Sequence, residues 1–275
     1  LMLIMELHHL ISPTLGLIVG LLMGLTGAGG GILSVPFLVI GLGLTIVEAG
    51  PIAMVTIAIS ASLGAIIGLR KKILRYKAAL LMASFGLMLS PFGIWLAHQL
   101  PNQPLSLLFS LVLMIVSSRL FIQARNDLLG KTPPEKVAPP CQLDQSIGKL
   151  IWTVPCARYL MLSGSVTGFL SGLLGVGGGF ILVPALRKFT DLPVQSIVAT
   201  SLGVLAIIST GNAVLATAYG TMSWELAMPF IGGSVVGLIG GKLLETKISG
   251  PRILQIFAIF TFGVALSMFY QTFSS

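Results

Sequence analysis

Charge is what this sequence has least of. Only 9% of its 275 residues are Asp, Glu, Lys or Arg, against 55% hydrophobic residues and a mean hydropathy of +1.00. A soluble domain carries about 25% charged residues, so a water-soluble globule is excluded. Acidic residues number eight, and none lies at the centre of an apolar run. Glu48, Glu225 and Glu245 stand at segment ends; Asp127, Glu135, Asp144 and Asp191 fall in or near polar stretches. Proton- and sodium-coupled carriers commonly keep a carboxylate at membrane depth, and this chain offers none. There are three histidines: His8 and His9 precede the first long helix, and His98 ends another. No paired acids, Ser-His-Asp set or metal-spaced cluster is present, so no catalytic residue, metal site or cofactor is expected. Cys141 and Cys156 share one polar stretch without metal-type spacing and are read as independent thiols.

Apolar runs of roughly 20 residues are what the chain has instead, each long enough to cross a hydrocarbon core about 30 Å thick. They are continuous rather than alternating, which excludes a membrane β-barrel. The chain therefore reads as an all-α polytopic membrane protein. Its net charge of +8 comes from basic residues in short loops beside spans. That placement is topology signal and lipid headgroup contact, not a nucleic-acid surface. The opening LMLIMELHHLISP has no basic n-region and is read as the lead-in to the first helix rather than a removable signal.

The strongest pattern is a duplication. Gly24 to Leu38 reads GLTGAGGGILSVPFL and Gly172 to Leu186 reads GLLGVGGGFILVPAL, an offset of 148. The same offset pairs Gly16 with Gly164, Gly20 with Gly168, Gly93 with Gly241, Phe109 with Phe257 and Gln123 with Gln271. Residues 1–124 form the first copy, 125–156 a Pro-containing polar linker and 157–275 the second copy. Each copy begins with a helix carrying glycines at small-xxx-small spacing. A five-residue break follows, at Gly27–Gly31 or Gly175–Gly179, then a short apolar piece and three spans.

Charge placement orients the copies. Arg70, Lys71, Lys72, Arg75 and Lys77 follow the first full span of copy one, whereas the matching loop of copy two, Ala218 to Glu225, has no Lys or Arg. There the positives follow the next span, at Lys242, Lys247 and Arg252. Positive loops mark the cytoplasmic side, so each glycine-broken segment is expected to be a re-entrant hairpin followed by three transmembrane helices, the rival being eight ordinary spans in parallel repeats. The two repeats are then inverted, the linker is cytoplasmic and both termini lie outside, in a multi-pass protein of the cell membrane.

Irregular backbone at membrane depth persists only where protein or a watery cavity covers it. Inverted-repeat transporters place substrate where two such breaks meet near the midplane. Consecutive glycines let backbone N–H groups converge, and a helix restarting after them offers its positive end, which suits a small anionic substrate. The expected binding set is Thr26, Gly29, Gly30, Gly31, Ser34, Thr56, Ser60, Gly177, Gly178, Gly179, Thr200, Ser201 and Asn212. Ser62, Ser209 and Thr210 are further hydroxyls in the helices after the breaks. Arg119, the most embedded charge, reads as a snorkelling side chain, with an anion-attracting role as the alternative.

The doubled motif, each copy followed by three spans, together with Ile197-Val-Ala-Thr-Ser-Leu202, resembles the sulfite exporter TauE/SafE family of bacterial permeases. The first copy departs from the last stretch, having Pro51-Ile-Ala-Met54 where the second has Ala199-Thr-Ser-Leu202. The resemblance implies a cytoplasmic-membrane carrier that exports sulfur-containing anions such as sulfite, sulfoacetate or organosulfonates. An anion leaving a cell that is negative inside gains about 2.3 kcal/mol per charge per 100 mV, so export needs no coupling ion. The function expected is thus secondary transport of a small sulfur anion bound between the two tips, in contact with membrane lipid and of open oligomeric state. An anion channel, or a membrane scaffold using its glycine faces to hold partner helices, is the alternative.

Overall fold

A computed structural model describes residues 2–129, 139–144, 149–218, 223–245 and 250–274. Pro133, Pro134, Glu135 and Lys247 lie outside the described residues, as does most of the loop expected between Ala218 and Glu225. In chain order the elements are α1 (Met2–Thr26), a 3-10 stretch (Gly27–Leu33), α2 (Ser34–Leu42), α3 (Ile46–Arg70), α4 (Tyr76–Gln99) and α5 (Asn102–Leu128). There follow β1 (Leu143–Asp144), β2 (Lys149–Leu150), α6 (Val154–Leu174), α7 (Gly179–Phe189), α8 (Val194–Ala218), α9 (Trp224–Glu245) and α10 (Gly250–Ser274). The molecule is an all-α polytopic membrane protein. Helices α3, α4, α5, α8, α9 and α10 are long and apolar enough to cross a bilayer, and Ile11–Thr26 and Gly30–Leu42 are shorter apolar stretches.

The duplication reaches the element bounds: moved by 148 residues, α3 falls on α8 from first residue to last. Local sequence explains the ends. Thr45 caps α3, its hydroxyl accepting from the Glu48 N–H at 3.3 Å while the Glu48 carboxylate accepts from the Thr45 N–H at 2.9 Å. This reciprocal pair satisfies two otherwise orphan donors and gives Glu48 a structural task. Gly43 closes α2 in the left-handed conformation, and Thr153 with Pro155 starts α6.

Helix directions follow from which residues meet. A Cβ on Gly20 would fall 1.9 Å from the Ser234 carbonyl oxygen, and one on Gly168, its counterpart, 2.0 Å from that of Gly86, the counterpart of Ser234. Backbone touches backbone at both places, the close approach that small-xxx-small spacing permits. Gly16 meets Phe230 and Gly164 meets Met82 in the same way, so α1 runs parallel to α9 and α6 parallel to α4. Gly64 meets Leu202 and Gly68 meets Ala199, so α3 and α8 run antiparallel. Ser106 Oγ lies 2.9 Å from Thr272 Oγ1, bringing the start of α5 to the end of α10. Helices α3 and α8 form the centre: 56% and 61% of their apolar windows are buried, against 28–33% for the other four spans. Those outer helices expose Phe92, Trp95, Ile256 and Tyr270, the surface a bilayer covers.

These directions gather the linker, the α3–α4 turn and the start of α8 at one end. There the Arg75 N–H donates to Thr200 Oγ1 at 3.1 Å, and the Cys141 N–H to the Phe189 carbonyl at 3.1 Å. Among residues whose side chains are described, every Lys and Arg lies toward this linker end, while Glu48, Glu225 and His98 lie at the opposite end.

One expectation is corrected. Cys141 and Cys156 are not independent thiols but a disulfide, with Cα atoms 4.8 Å apart. The two-residue ladder of β1 and β2 turns the chain back on itself, and the Ile151 N–H donates to the Gln142 carbonyl at 2.8 Å. That fold brings the first turn of α6 beside Cys141. The linker is also shorter than its composition suggests, since α5 continues through Arg125 to Leu128.

Candidate functional site

The two glycine breaks have similar letters and different backbones. In the first, Gly27 takes φ +69° and the chain winds as a 3-10 helix until α2 begins at Ser34. In the second, Gly175, Gly177 and Gly178 take φ +73°, +69° and +75° before α7 begins at Gly179. Three left-handed residues within four positions demand glycine. Gly30 is held for another reason: a Cβ there would lie 2.4 Å from the Met23 Cα, so the break folds directly onto α1.

Both tips converge on Ile57 of α3. A Cβ on Gly31 would lie 3.0 Å from its Cγ1, and one on Gly177 3.0 Å from its Cγ2. Gly175 abuts Gly50, and its counterpart Gly27 abuts Val198, the counterpart of Gly50. Each tip therefore touches the central helix of the other half, at counterpart positions.

Four buried hydroxyls lie on the elements that carry or contact the tips. Ser34 opens α2 directly after the first tip, and Ser60 lies one turn beyond Ile57. Thr167 faces Gly178, whose Cβ would lie 2.4 Å from its Cγ2, and Ser209 Oγ lies 3.4 Å from the Cβ position of Gly177. Exposure is 0%, 5%, 0% and 0% respectively, and none of the four oxygens has a hydrogen-bond partner among the described residues. An unmade buried hydrogen bond costs about 1–3 kcal/mol, so four on these elements need an explanation other than packing.

The remaining expected residues are placed differently. Thr26 donates to the Leu22 carbonyl at 2.7 Å, Thr56 to Ile52 at 2.9 Å and Ser201 to Val198 at 2.8 Å, each back-bonding its own helix. Thr200 is occupied by the Arg75 N–H at the linker end. Asn212 joins a buried triad: its Oδ1 accepts from Ser90, and its Nδ2 donates to Ser171 Oγ at 3.2 Å, tying α8 to α4 and α6. Gly29 lies within the 3-10 stretch and Gly179 is the first residue of α7. Ser62 and Thr210 line a groove of about 500 Å³ on the outer side of α3 and α8. Sequence reasoning misses Thr167, because it looks for hydroxyls in the helices after each break and Thr167 precedes one. The signal that could have found it is helical spacing: Thr167 lies one turn from both Gly164 and Ser171, beside Gly168, on the face of α6 that carries the glycine ladder.

Two cavities lead to the tips from opposite ends. One of about 390 Å³ runs from the linker end to Gly24, Gly27 and Ser60. The other, about 30 Å³, runs from the opposite end, past Ile46 and His98, to Gly172 and Gly175. Gly24 and Gly27 are the counterparts of Gly172 and Gly175, so these are the same cavity in the two halves, open in one and nearly closed in the other. The wide one is lined by Met23, Gly64 and Leu238. Their counterparts are Ser171, Asn212 and Ser90, the three members of the buried triad.

Among the described residues no group of three His, Cys, Asp or Glu side chains could hold a metal ion. Two described carboxylates have structural tasks: Glu48 in the cap of α3, and Asp191, which accepts from the Leu143 N–H at 3.0 Å.

Known proteins bear on this arrangement. A protein of Xylella fastidiosa strain Temecula1, named a probable membrane transporter protein, is 29% identical over 94% of this chain and 94% of its own. The probable membrane transporter protein YunE of Bacillus subtilis is 25% identical over 96% of this chain and 98% of its own, and YjnA of the same organism 27% over 88% and 91%. No solved structure matches. The family model described as sulfite exporter TauE/SafE matches residues 13–268, nearly the whole chain with both glycine tips, and the chain belongs to that family of membrane transporters.

Proposed function

We propose that the chain carries a small oxyanion, sulfite or a related sulfur anion, by alternating access, binding it between the glycine tips. The observation that carries this reading is the set of buried hydroxyls of Ser34, Ser60, Thr167 and Ser209, unpartnered among the described residues, on the elements that carry or contact the two tips. Hydroxyl donors and the amino-terminal end of α7 suit several-oxygened anions, and among the described residues no carboxylate lines either cavity that reaches the tips. The family name supplies the substrate class.

The antiparallel course of α3 against α8 supports inverted repeats, each a re-entrant hairpin and three crossings. Unequal cavities at counterpart positions favour a carrier over a channel, since a channel needs both open together. With the positive linker end as the cytoplasmic face, both termini lie outside and the wide cavity faces the cell interior, poised to load an anion for export through the cytoplasmic membrane.

The test is flux of radiolabelled sulfite into liposomes at a clamped potential, with wild type beside Thr167→Val and Ser209→Ala. Saturable flux that follows the potential without a pH gradient, with KM raised in both variants, is the expected result. A total lack of sulfur-oxyanion movement would overturn the substrate, and flux that does not saturate would overturn the carrier.

A further inference from the structure

A cavity of about 520 Å³ between α5, α6 and α7 belongs to neither route to the tips. Its inner part is apolar, walled by Val112, Val116, Leu170, Phe180 and Ala185, and its rim carries Arg119, Lys188 and Gln123. None of the four unpartnered hydroxyls lines it, and no carboxylate does. It opens sideways, where Ile115 and Val166 are exposed at 50% and 41%.

The counterpart positions in the other half of the molecule are filled differently. Val112 and Ala185 correspond to Phe260 and Phe37, whose rings stack with centroids 5.9 Å apart between α2 and α10. Arg119 and Lys188 correspond to Ser267 and Ile40. Where the duplication leaves an opening, it also supplies two cations; where it fills the opening, it supplies none.

Depth suggests what fits. Lys188 lies nine residues beyond Gly179, the start of α7, or about 13 Å along the helix. Half of a hydrocarbon core is about 15 Å. With the tip near the midplane, the apolar walls lie at the depth of acyl chains and the Lys188 ammonium near the headgroups, where Arg119 can snorkel to join it.

We propose that this cleft binds one anionic phospholipid of the linker-side leaflet. Its acyl chain lies along Val112, Leu170 and Phe180, and its phosphate is held by Arg119 and Lys188, with Gln123 as a further donor. The volume lies in the range of specific small-molecule sites, about 300–1,000 Å³. Two cations above an apolar slot complement an anionic amphiphile, while a free anion would gain nothing from the slot. The bound chain would rest against Phe180, next to the second tip, and so couple that hairpin to the lipid around it.

The experiment is lipid retention by the purified full chain in detergent, measured by native mass spectrometry. It compares phosphatidylglycerol with phosphatidylcholine of the same chains, and reads no transport, so its outcome is separate from that of the flux assay. Wild type is expected to hold phosphatidylglycerol about tenfold more strongly, with about a fivefold loss for each of Arg119→Gln and Lys188→Gln. Ala185→Phe, which copies the residue at the counterpart position, is expected to remove retention of the single lipid. Should that variant fail to fold, the two glutamine variants, which alter exposed side chains, decide the matter alone. Equal retention of the two lipids by wild type would overturn the proposal. So would an equal loss in Lys72→Gln, a cation outside the cleft, or displacement of the lipid by millimolar inorganic phosphate.

Discussion

Ser209 and Thr167 are the residues where function and stability pull apart. Each hydroxyl is buried without a partner, so removing it relieves a cost in the empty protein and forfeits a donor in the loaded one. Ser209→Ala is expected to leave the unliganded protein as stable as wild type or up to about 1 kcal/mol more so, by thermal unfolding in detergent. The same change is expected to raise the KM for sulfite about tenfold, as the loss of one hydrogen bond to a charged group implies. A destabilised variant with unchanged KM would remove Ser209 from the site. Gly178 makes a sterner case. Alanine there meets φ +75° and a Cβ 2.4 Å from Thr167 Cγ2, and left-handed backbone alone costs a non-glycine residue about 1–2 kcal/mol. Gly178→Ala is expected to lower flux at least tenfold while the protein still elutes as a single species.

The helix ladders carry the packing. A Cβ at Gly168 would sit 2.0 Å from a carbonyl oxygen of α4, which no side-chain motion can relieve. Gly168→Val is therefore expected to yield aggregated protein by size-exclusion chromatography, whereas Gly240→Val, at a glycine with nothing within 4 Å, is expected to behave as wild type. At this scale the sequence was informative for a physical reason. Apolar length and glycine spacing are local properties, so the spans, breaks and contact ladders could be read directly. Properties that depend on the partner were not legible. Thr56 and Ser60 lie four residues apart on one helix, yet one back-bonds to Ile52 and the other stands unpartnered. The two breaks share their glycines but wind differently: the first lies against Met23 as a 3-10 stretch, and the second places three glycines in the left-handed region. The pairing of Cys141 with Cys156 rests on a two-residue ladder too short to leave a pattern in the sequence.

For the whole molecule, charge and sulfur point to different compartments. The cations gathered at the linker end argue for a cytoplasmic linker, as proposed above, whereas disulfides persist chiefly outside the cytoplasm. Many charges bear on topology and only one sulfur pair does, so charge is expected to prevail. A single cysteine at Lys72→Cys, in a chain lacking Cys141 and Cys156, should react with a membrane-impermeant maleimide only after cells are opened. In the native chain, acid quenching and alkylation should find the Cys141–Cys156 pair held reduced in growing cells and closing to the disulfide of the structure once oxidant is added. A pair fully oxidised without treatment would reverse the proposed orientation.

The triad of Ser90, Ser171 and Asn212 has a bearing on which way the protein waits. Two identical halves would make the inward-open and outward-open shapes mirror partners of equal energy, with equal dwell times and no resting side. Polar ties in one half, where the other has Met23, Gly64 and Leu238 at the counterpart positions, would lift that degeneracy. Asn212→Gly, copying Gly64, should narrow the gap and let the narrow cavity open more often, seen as faster labelling of Met54→Cys from the outside. A carrier levelled in this way would idle on either side of the membrane, leaving the direction of net movement to the potential and the anion gradient alone.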